Sequence, residues 1–223
     1  MFDELSGGYD VFNRIVTANL DLVWRKRLVD LCPPVDRALD FGCGTGDLTE
    51  RLLERGKAGR VVGIDITPGM LRRARRRARA GGYAGSVSHA LADGERLPFP
   101  DGRFGLVVSA FVMRNVGDRA AAYREVVRVL RPGGSLVQLE LGFPEPGAFR
   151  DLYFGYYFRV MPVMAGVIYG DRTPYQYLAD SLKRWPDAEG TAEELKGAGF
   201  ERVDIHEVTR GVVAIHHAVV PTP

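Results

Sequence analysis

Cysteine is scarce in this 223-residue chain. Cys32 and Cys43 are the only two, one of them inside a glycine-rich turn, so a disulfide framework is excluded and a reducing cytosol is the expected setting. Net charge is nearly absent as well. At +2 the chain as a whole makes no case for binding nucleic acid. Long apolar runs are also missing: the most apolar window, 152–168, is broken by Gly155, Arg159, Pro162 and Gly166. A membrane-spanning helix needs about 20 largely uninterrupted apolar residues. The start, Met-Phe-Asp-Glu-Leu, has no basic stretch leading into an apolar one, so no signal peptide is expected. Of the four histidines, at 89, 206, 216 and 217, the last three fall on the final pair of strands, where structural roles are expected. What remains, 46% hydrophobic and 26% charged, suits one globular α/β domain with an insertion.

The organising stretch is Arg37-Ala-Leu-Asp-Phe-Gly-Cys-Gly-Thr-Gly-Asp-Leu48. Its apolar lead-in reads as a buried strand. Gly42, Gly44 and Gly46 then let the backbone turn sharply, and Asp47-Leu48 opens a helix. A dinucleotide fingerprint places its third glycine where Asp47 stands and sets a pyrophosphate on the helix N-terminus. An aspartate there repels phosphate. With Asp40 before the turn and Asp47 after it, the pocket suits a cationic ligand without phosphate, such as the sulfonium and amino acid of S-adenosylmethionine (AdoMet). Asp65 ends the next strand, where an acid can accept both ribose hydroxyls. Asp93, followed by Gly94, ends the third, where it can accept from the adenine amino group. Each acid alone could be a helix cap or turn former; three at consecutive strand ends point to a ligand.

Strand and helix alternate: strand 37–41, helix 47–56, strand 60–65, helix 68–80, strand 86–91, strand 104–109, helix 118–130 and strand 134–141. That alternation implies a parallel sheet covered on both faces, with ligands at the strands' carboxyl ends. Before it, Val11, Phe12, Ile15, Val16, Leu20, Val23 and Trp24 recur at helical spacing and predict an N-terminal cover over 1–34, ended by Pro33-Pro34. The loop 97–104 is expected to wall the adenine. Arg131-Pro-Gly-Gly134 is expected to close a helix ahead of the fifth strand. Segment 142–190 concentrates aromatics, among them Phe149, Tyr153, Phe154, Tyr157 and Phe158, and its place predicts a lid over an apolar substrate. A helix at 191–198 and strands near 200–208 and 211–219 complete 191–223; the short link makes that last pair antiparallel. A single domain with a cofactor-binding core at 35–141 results. The run Arg72, Arg73, Arg75, Arg76, Arg77 and Arg79 reads as the solvated face of an outer helix, with attraction to an anionic membrane surface as the alternative.

With these residues in hand, the chain resembles the ubiquinone/menaquinone biosynthesis C-methyltransferases almost end to end. The resemblance rests on Met1, Phe2, Tyr9, Asp10 and Asn13, on Trp24-Arg25, on the glycine turn, and above all on Phe111-Val-Met-Arg-Asn-Val116. Arg128–Gly134, Glu140, Pro144, Tyr175–Leu178, Ser181 and Pro186 continue it. It implies a class I AdoMet-dependent methyltransferase fold, Rossmann-like, with Thr45, Asp65, Ile66, the pair Asp93-Gly94, and Ala110 among the cofactor contacts. Ala110 stands where some members carry a serine, and Val112 where the family writes glycine.

The implied reaction moves a methyl group to a ring carbon of a polyprenylated quinol, demethylmenaquinol in the first place. Arg114 and Asn115 follow the fourth strand, where a guanidinium could stabilise a quinolate. The alternative for Arg114 is an ion pair with Asp10 or Glu140. Tyr9, Tyr177 and Asp180 are further candidates for orienting the hydroxyl or removing the ring proton. No metal and no nucleic acid enter this scheme; peripheral contact with the membrane's inner face and a homodimer stay open. The rivals are a methyltransferase acting on a sterol, tocopherol precursor or other phenol, a nucleic-acid methyltransferase, and a non-catalytic binding module. Against the second, Ser109-Ala-Phe-Val112 replaces the Asn/Asp-Pro-Pro-aromatic set of amino methylation.

Overall fold

A computed structural model describes residues 14, 17, 19–161, 163, 164, 166, 182 and 185–222. Its centre is a seven-stranded sheet of order β3-β2-β1-β4-β5-β7-β6. The strands are β1 (Val35–Phe41), β2 (Ala58–Asp65), β3 (Val87–Leu91), β4 (Phe104–Ala110), β5 (Leu130–Leu141), β6 (Arg202–Val208) and β7 (Val213–Val219). β1 to β5 run parallel, while β7 is antiparallel to both β5 and β6. The central strands are mostly apolar because helices cover both faces: Leu39, Leu106, Val107, Leu136, Leu139 and Ile215 are fully buried.

The helices are α1 (Leu20–Leu31), α2 (Asp47–Glu54), α3 (Pro68–Ala80), α4 (Arg119–Val129), α5 (Ala148–Gly155) and α6 (Ala188–Ala198). α1 lies over β5 and β7 and against α2; α4 packs on β5 and on α6. The chain steps from β1 outward to β3, then returns to place β4 on the other side of β1. The carboxyl ends of β1 and β4 thus form the switch point at which open α/β sheets bind ligands.

Several expectations need correction. Leu20 and Val23 do not join the apolar face of α1: they are 40% and 56% exposed, and Trp24, Leu28 and Val29 are buried instead. Val11, Phe12, Ile15 and Val16 lie outside the described residues. The stretch 131–134 does not separate helix from strand. α4 stops at Val129, Leu130 already pairs with Phe104, and 131–134 bulge out before Ser135 meets Leu106. The loop 97–104 does not wall the cleft: Arg128 donates to the Leu97 and Phe99 carbonyls and Phe99 packs edge-on against Phe104, so the loop belongs to α4.

The last hairpin turns through three left-handed residues, Thr209, Arg210 and Gly211, with φ of 54°, 57° and 83°. Such a conformation is unfavourable for a β-branched threonine. Here the Thr209 hydroxyl accepts a 2.7 Å hydrogen bond from Trp24 Nε1 of α1, and Arg210 lies over the Phe149 ring of α5. His216 is structural, as expected: its Nε2 donates to the Ala188 carbonyl, 2.8 Å away.

Asp40, on β1, is 1% exposed and accepts a 2.6 Å hydrogen bond from the Thr49 hydroxyl of α2. Burial pushes its carboxyl up to about 6, with Thr49 pulling the other way. A folded-state value above the unfolded 3.8 means the folded chain holds this proton more tightly. The stability that proton brings is present in acid and is lost as pH rises through about 6. Asp40→Asn, which keeps the acceptor for Thr49, is expected to stabilise the protein near pH 7.5 by roughly 1–3 kcal/mol. The gain should shrink toward pH 4, as read from urea unfolding at both values.

Candidate functional site

A cleft opens at the carboxyl ends of β1, β2 and β4. Its floor is the glycine turn. Gly42 and Gly44 have φ of 70° and 53°, conformations that side chains rarely adopt. A Cβ on Gly42 would collide with the Val112 side chain, while Gly44 leaves its surroundings open. Gly46, by contrast, does not line the cleft. It precedes α2 with φ 86°, and a Cβ there would press on Ala74, so its smallness serves the packing of α2 on α3.

Asp65 ties this floor to β2. Its Oδ2 accepts from the Gly44 N–H at 2.9 Å and its Oδ1 from the Thr67 N–H at 2.8 Å. Each carboxylate oxygen keeps a further lone pair, so Asp65 can still accept ligand hydroxyls. Ile66 beside it is 70% exposed and offers an apolar surface at the cleft edge. Thr45 lines the cleft and its hydroxyl accepts from Arg77 at 3.3 Å. Cys43 shares the turn; burial and the nearby Asp40 and Asp65 push its thiol far up, which leaves it inert as a nucleophile.

The expected distribution of charge changes here. Asp40 does not reach the cleft, because its carboxylate is spent on Thr49. Asp47 does reach it, but already compensated: Arg51 Nε at 3.1 Å, Arg25 Nε at 3.6 Å and Arg77 Nη1 at 3.8 Å surround it. Burial raises its pKa, the guanidiniums outweigh burial, and the net shift is downward. The wall is therefore mixed in charge. Asp93 and Gly94 do not line the cleft. Asp93 is exposed and accepts from the Glu95 N–H at 3.0 Å, a turn-forming bond, and Gly94 packs against the Phe41 ring. Both nonetheless follow β3, whose Leu91 pairs with Asp65.

The opposite wall comes from the end of β4. Ala110, Phe111, Val112 and Asn115 line it. Phe111 has φ 63°, a strained value for an aromatic residue, and is pinned by its N–H bond to the Leu139 carbonyl. Arg25 and Arg114 both lie over its ring, at 5.7 and 5.4 Å, with Trp24 edge-on. Asn115 donates to the Phe111 carbonyl, and its Oδ1 is buried without a hydrogen-bond partner among the described residues. Arg114 sits behind this wall rather than in it. Its Nη1 lies 3.1 Å from Glu140 Oε2, both side chains are buried, and the other Glu140 oxygen accepts from the Met113 N–H at 2.8 Å. Burial raises the Glu140 carboxyl against the pull of Arg114. Of the two partners considered for Arg114, Glu140 is the one observed; Asp10 lies outside the described residues, as do Tyr9, Tyr177 and Asp180.

The described part of the aromatic segment packs on itself. Tyr153, Phe154, Tyr157 and Phe158 pack against one another, tilted or edge-on, at centroid separations of 5.4–5.9 Å, and Phe154 meets Phe143. None of these rings lines the cleft described here. Tyr153 is the exception in chemistry: its buried hydroxyl has no hydrogen-bond partner among the described residues, and burial pushes its pKa up. Sequence reasoning missed Asp21 and Arg25, which line the cleft from α1. Their signal was a charged i, i+4 pair flanking buried Trp24 and Leu28.

The comparisons with known proteins agree with this architecture. The sequence profile of the ubiE/COQ5 methyltransferase family matches residues 1–220. The chain is 44% identical to a demethylmenaquinone methyltransferase of Thermus thermophilus over 218 residues, covering 97% of this chain and 98% of that protein. It is 38% identical to the ubiquinone/menaquinone biosynthesis C-methyltransferase UbiE of Shewanella sp. (strain ANA-3) over 219 residues, covering 97% and 87%. Among solved structures, a SAM-dependent methyltransferase from Aquifex aeolicus shares the fold with a TM-score of 0.61 at 17% identity, over 84% of each chain. The glycine floor braced by Asp65, the switch-point cleft and the antiparallel end of the sheet are thus those of a methyl-transferring α/β domain, and the chain belongs to the ubiE/COQ5 methyltransferase family.

Proposed function

We propose that the protein transfers a methyl group from AdoMet to a ring carbon of a polyprenylated quinol, converting demethylmenaquinol to menaquinol. The observation that carries this reading is the pairing of two unlike walls across one cleft. A bare-backbone floor braced by Asp65 faces a wall of Phe111 and Asn115 backed by a buried arginine. Family membership supplies the reaction class.

The residues present fit AdoMet. Asp65 would take the ribose hydroxyls through its remaining lone pairs, Ile66 would flank the adenine, and Asp93-Gly94 would meet its amino edge from the end of β3. AdoMet supplies the electrophilic methyl, whose bond to sulfur breaks as the ring carbon bonds to it, leaving S-adenosylhomocysteine (AdoHcy) and a ring proton to be removed. The ring carbon is nucleophilic only when a neighbouring hydroxyl gives up charge. Arg114 would stabilise that oxyanion, Asn115 Oδ1 would accept from the acceptor's hydroxyl, and Tyr177 and Asp180 would orient it or take the proton. Holding the two reactants in line can supply about 7–11 kcal/mol without a covalent residue.

The divisions expected from sequence become a working scheme: 35–141 binds cofactor, 1–34 covers it and 142–190 closes over the acceptor. The prenyl tail of such an acceptor lies in lipid. Exposed Leu152, Val160 and Val163 on the 142–190 segment, with the exposed arginines 72, 75, 76 and 79 of α3, support contact with an anionic membrane surface. Among the described residues no helix is long and apolar enough to cross a membrane.

Incubation with methyl-labelled AdoMet and reduced demethylmenaquinone, a reduced benzoquinol or RNA tests the acceptor. Label is expected on the naphthoquinol, and label on RNA alone would overturn the reading. A second experiment separates chemistry from support. Arg114→Ala should lower kcat about 100-fold while AdoMet affinity stays within a few fold. It should also destabilise the fold by roughly 3–5 kcal/mol, because Glu140 loses its buried counter-charge. Adding Glu140→Gln should restore much of the lost stability but none of the turnover, read from melting curves and single-turnover rates.

A further inference from the structure

The cleft wall contributed by α1 holds charges that the proposed chemistry leaves without a task. Arg25 lies over the Phe111 ring, with its Nε 3.6 Å from Asp47, the residue that opens α2 directly after the glycine turn. Asp21 of α1 and Arg14 before it also line the cleft. A wall carrying both guanidinium and carboxylate suits a zwitterion better than a simple cation. AdoMet carries one at the end opposite its adenine, an α-ammonium beside an α-carboxylate.

We infer that Arg25 binds the α-carboxylate of the cofactor's amino acid, exchanging its ion pair with Asp47 for that contact. The exchange costs Asp47 little, because Arg51 at 3.1 Å and Arg77 at 3.8 Å still compensate it. The Phe111 ring holds the guanidinium at the cleft wall while it changes partner. In a half-buried setting, a charge-assisted fork to a carboxylate outweighs a single Nε contact. Arg25 also joins the two ends of the site: it recognises cofactor on one side and braces Phe111, in the acceptor wall, on the other.

The inference rests on the AdoMet reading, and calorimetry on the full chain can tell the two apart. AdoHcy carries the α-carboxylate; 5′-methylthioadenosine keeps the nucleoside and sulfur but lacks the amino acid. Arg25→Gln, which keeps a planar polar head on a shorter stem and removes the charge, should weaken AdoHcy binding roughly 10- to 100-fold and leave 5′-methylthioadenosine within about twofold. Arg25→Lys, which keeps charge without the fork, should recover part of the AdoHcy loss and change nothing for the truncated ligand. Circular dichroism and melting temperature check that both variants fold. An equal loss for both ligands would make Arg25 a structural brace, and no loss for either would remove it from the site; each overturns the inference. If the unaltered chain bound neither ligand, the cofactor reading itself would fall.

Discussion

Asp47 is the carboxylate on which the site's geometry depends. It sits at the first turn of α2, where the helix dipole favours a negative charge. From there it draws in Arg25 of α1, Arg51 of its own helix and Arg77 of α3. Three helices that the sheet alone would leave adjacent are thereby fixed in angle around the glycine turn. Asp65 completes the arrangement from below by tying the turn's Gly44 N–H to the end of β2. A phosphate-binding fold would keep these helix-end groups for its ligand. This chain uses them on itself, and its ligand must bring a different chemistry.

The acceptor wall is built on the opposite plan. Its charge is removed from solvent rather than shared among exposed helices: Arg114 and Glu140 are buried together beneath the turn at 113–115. A buried pair is weak evidence for stability, since an apolar pair of the same shape often does as well. Here the geometry gives it another role. Glu140 holds the Met113 N–H and the Arg114 guanidinium at once, which sets the turn that carries Asn115 into the cleft. Phe111, strained and flanked by two guanidiniums, is held by the same construction.

How much of this was legible in the sequence follows from which forces were local. Strand and helix order was readable because hydrophobic runs and glycine stops act over a few residues; α3 and the antiparallel end of the sheet fall where expected. The three acids at strand ends were legible as a group but not singly. Asp65 reaches the cleft, Asp40 is turned to Thr49, and Asp93 makes a turn bond, differences set by partners that are distant in sequence. Arg25 and Asp21 were missed because nothing in the periodicity of α1 says which sheet edge the helix will cross. The bulge at 131–134 was misread as a boundary since glycine signals a turn without saying whether a strand resumes across it.

The 2.7 Å hydrogen bond from Trp24 to Thr209 connects a helix near the start of the chain to the final hairpin. During synthesis α1 leaves the ribosome early, yet the strands it lies on, β5 and β7, emerge in the second half of translation. The helix that brings Asp21 and Arg25 to the cleft therefore completes its packing only when β7 and the hairpin before it have been made. The α1 wall of the cleft is thus secured by a residue 185 positions further along the chain.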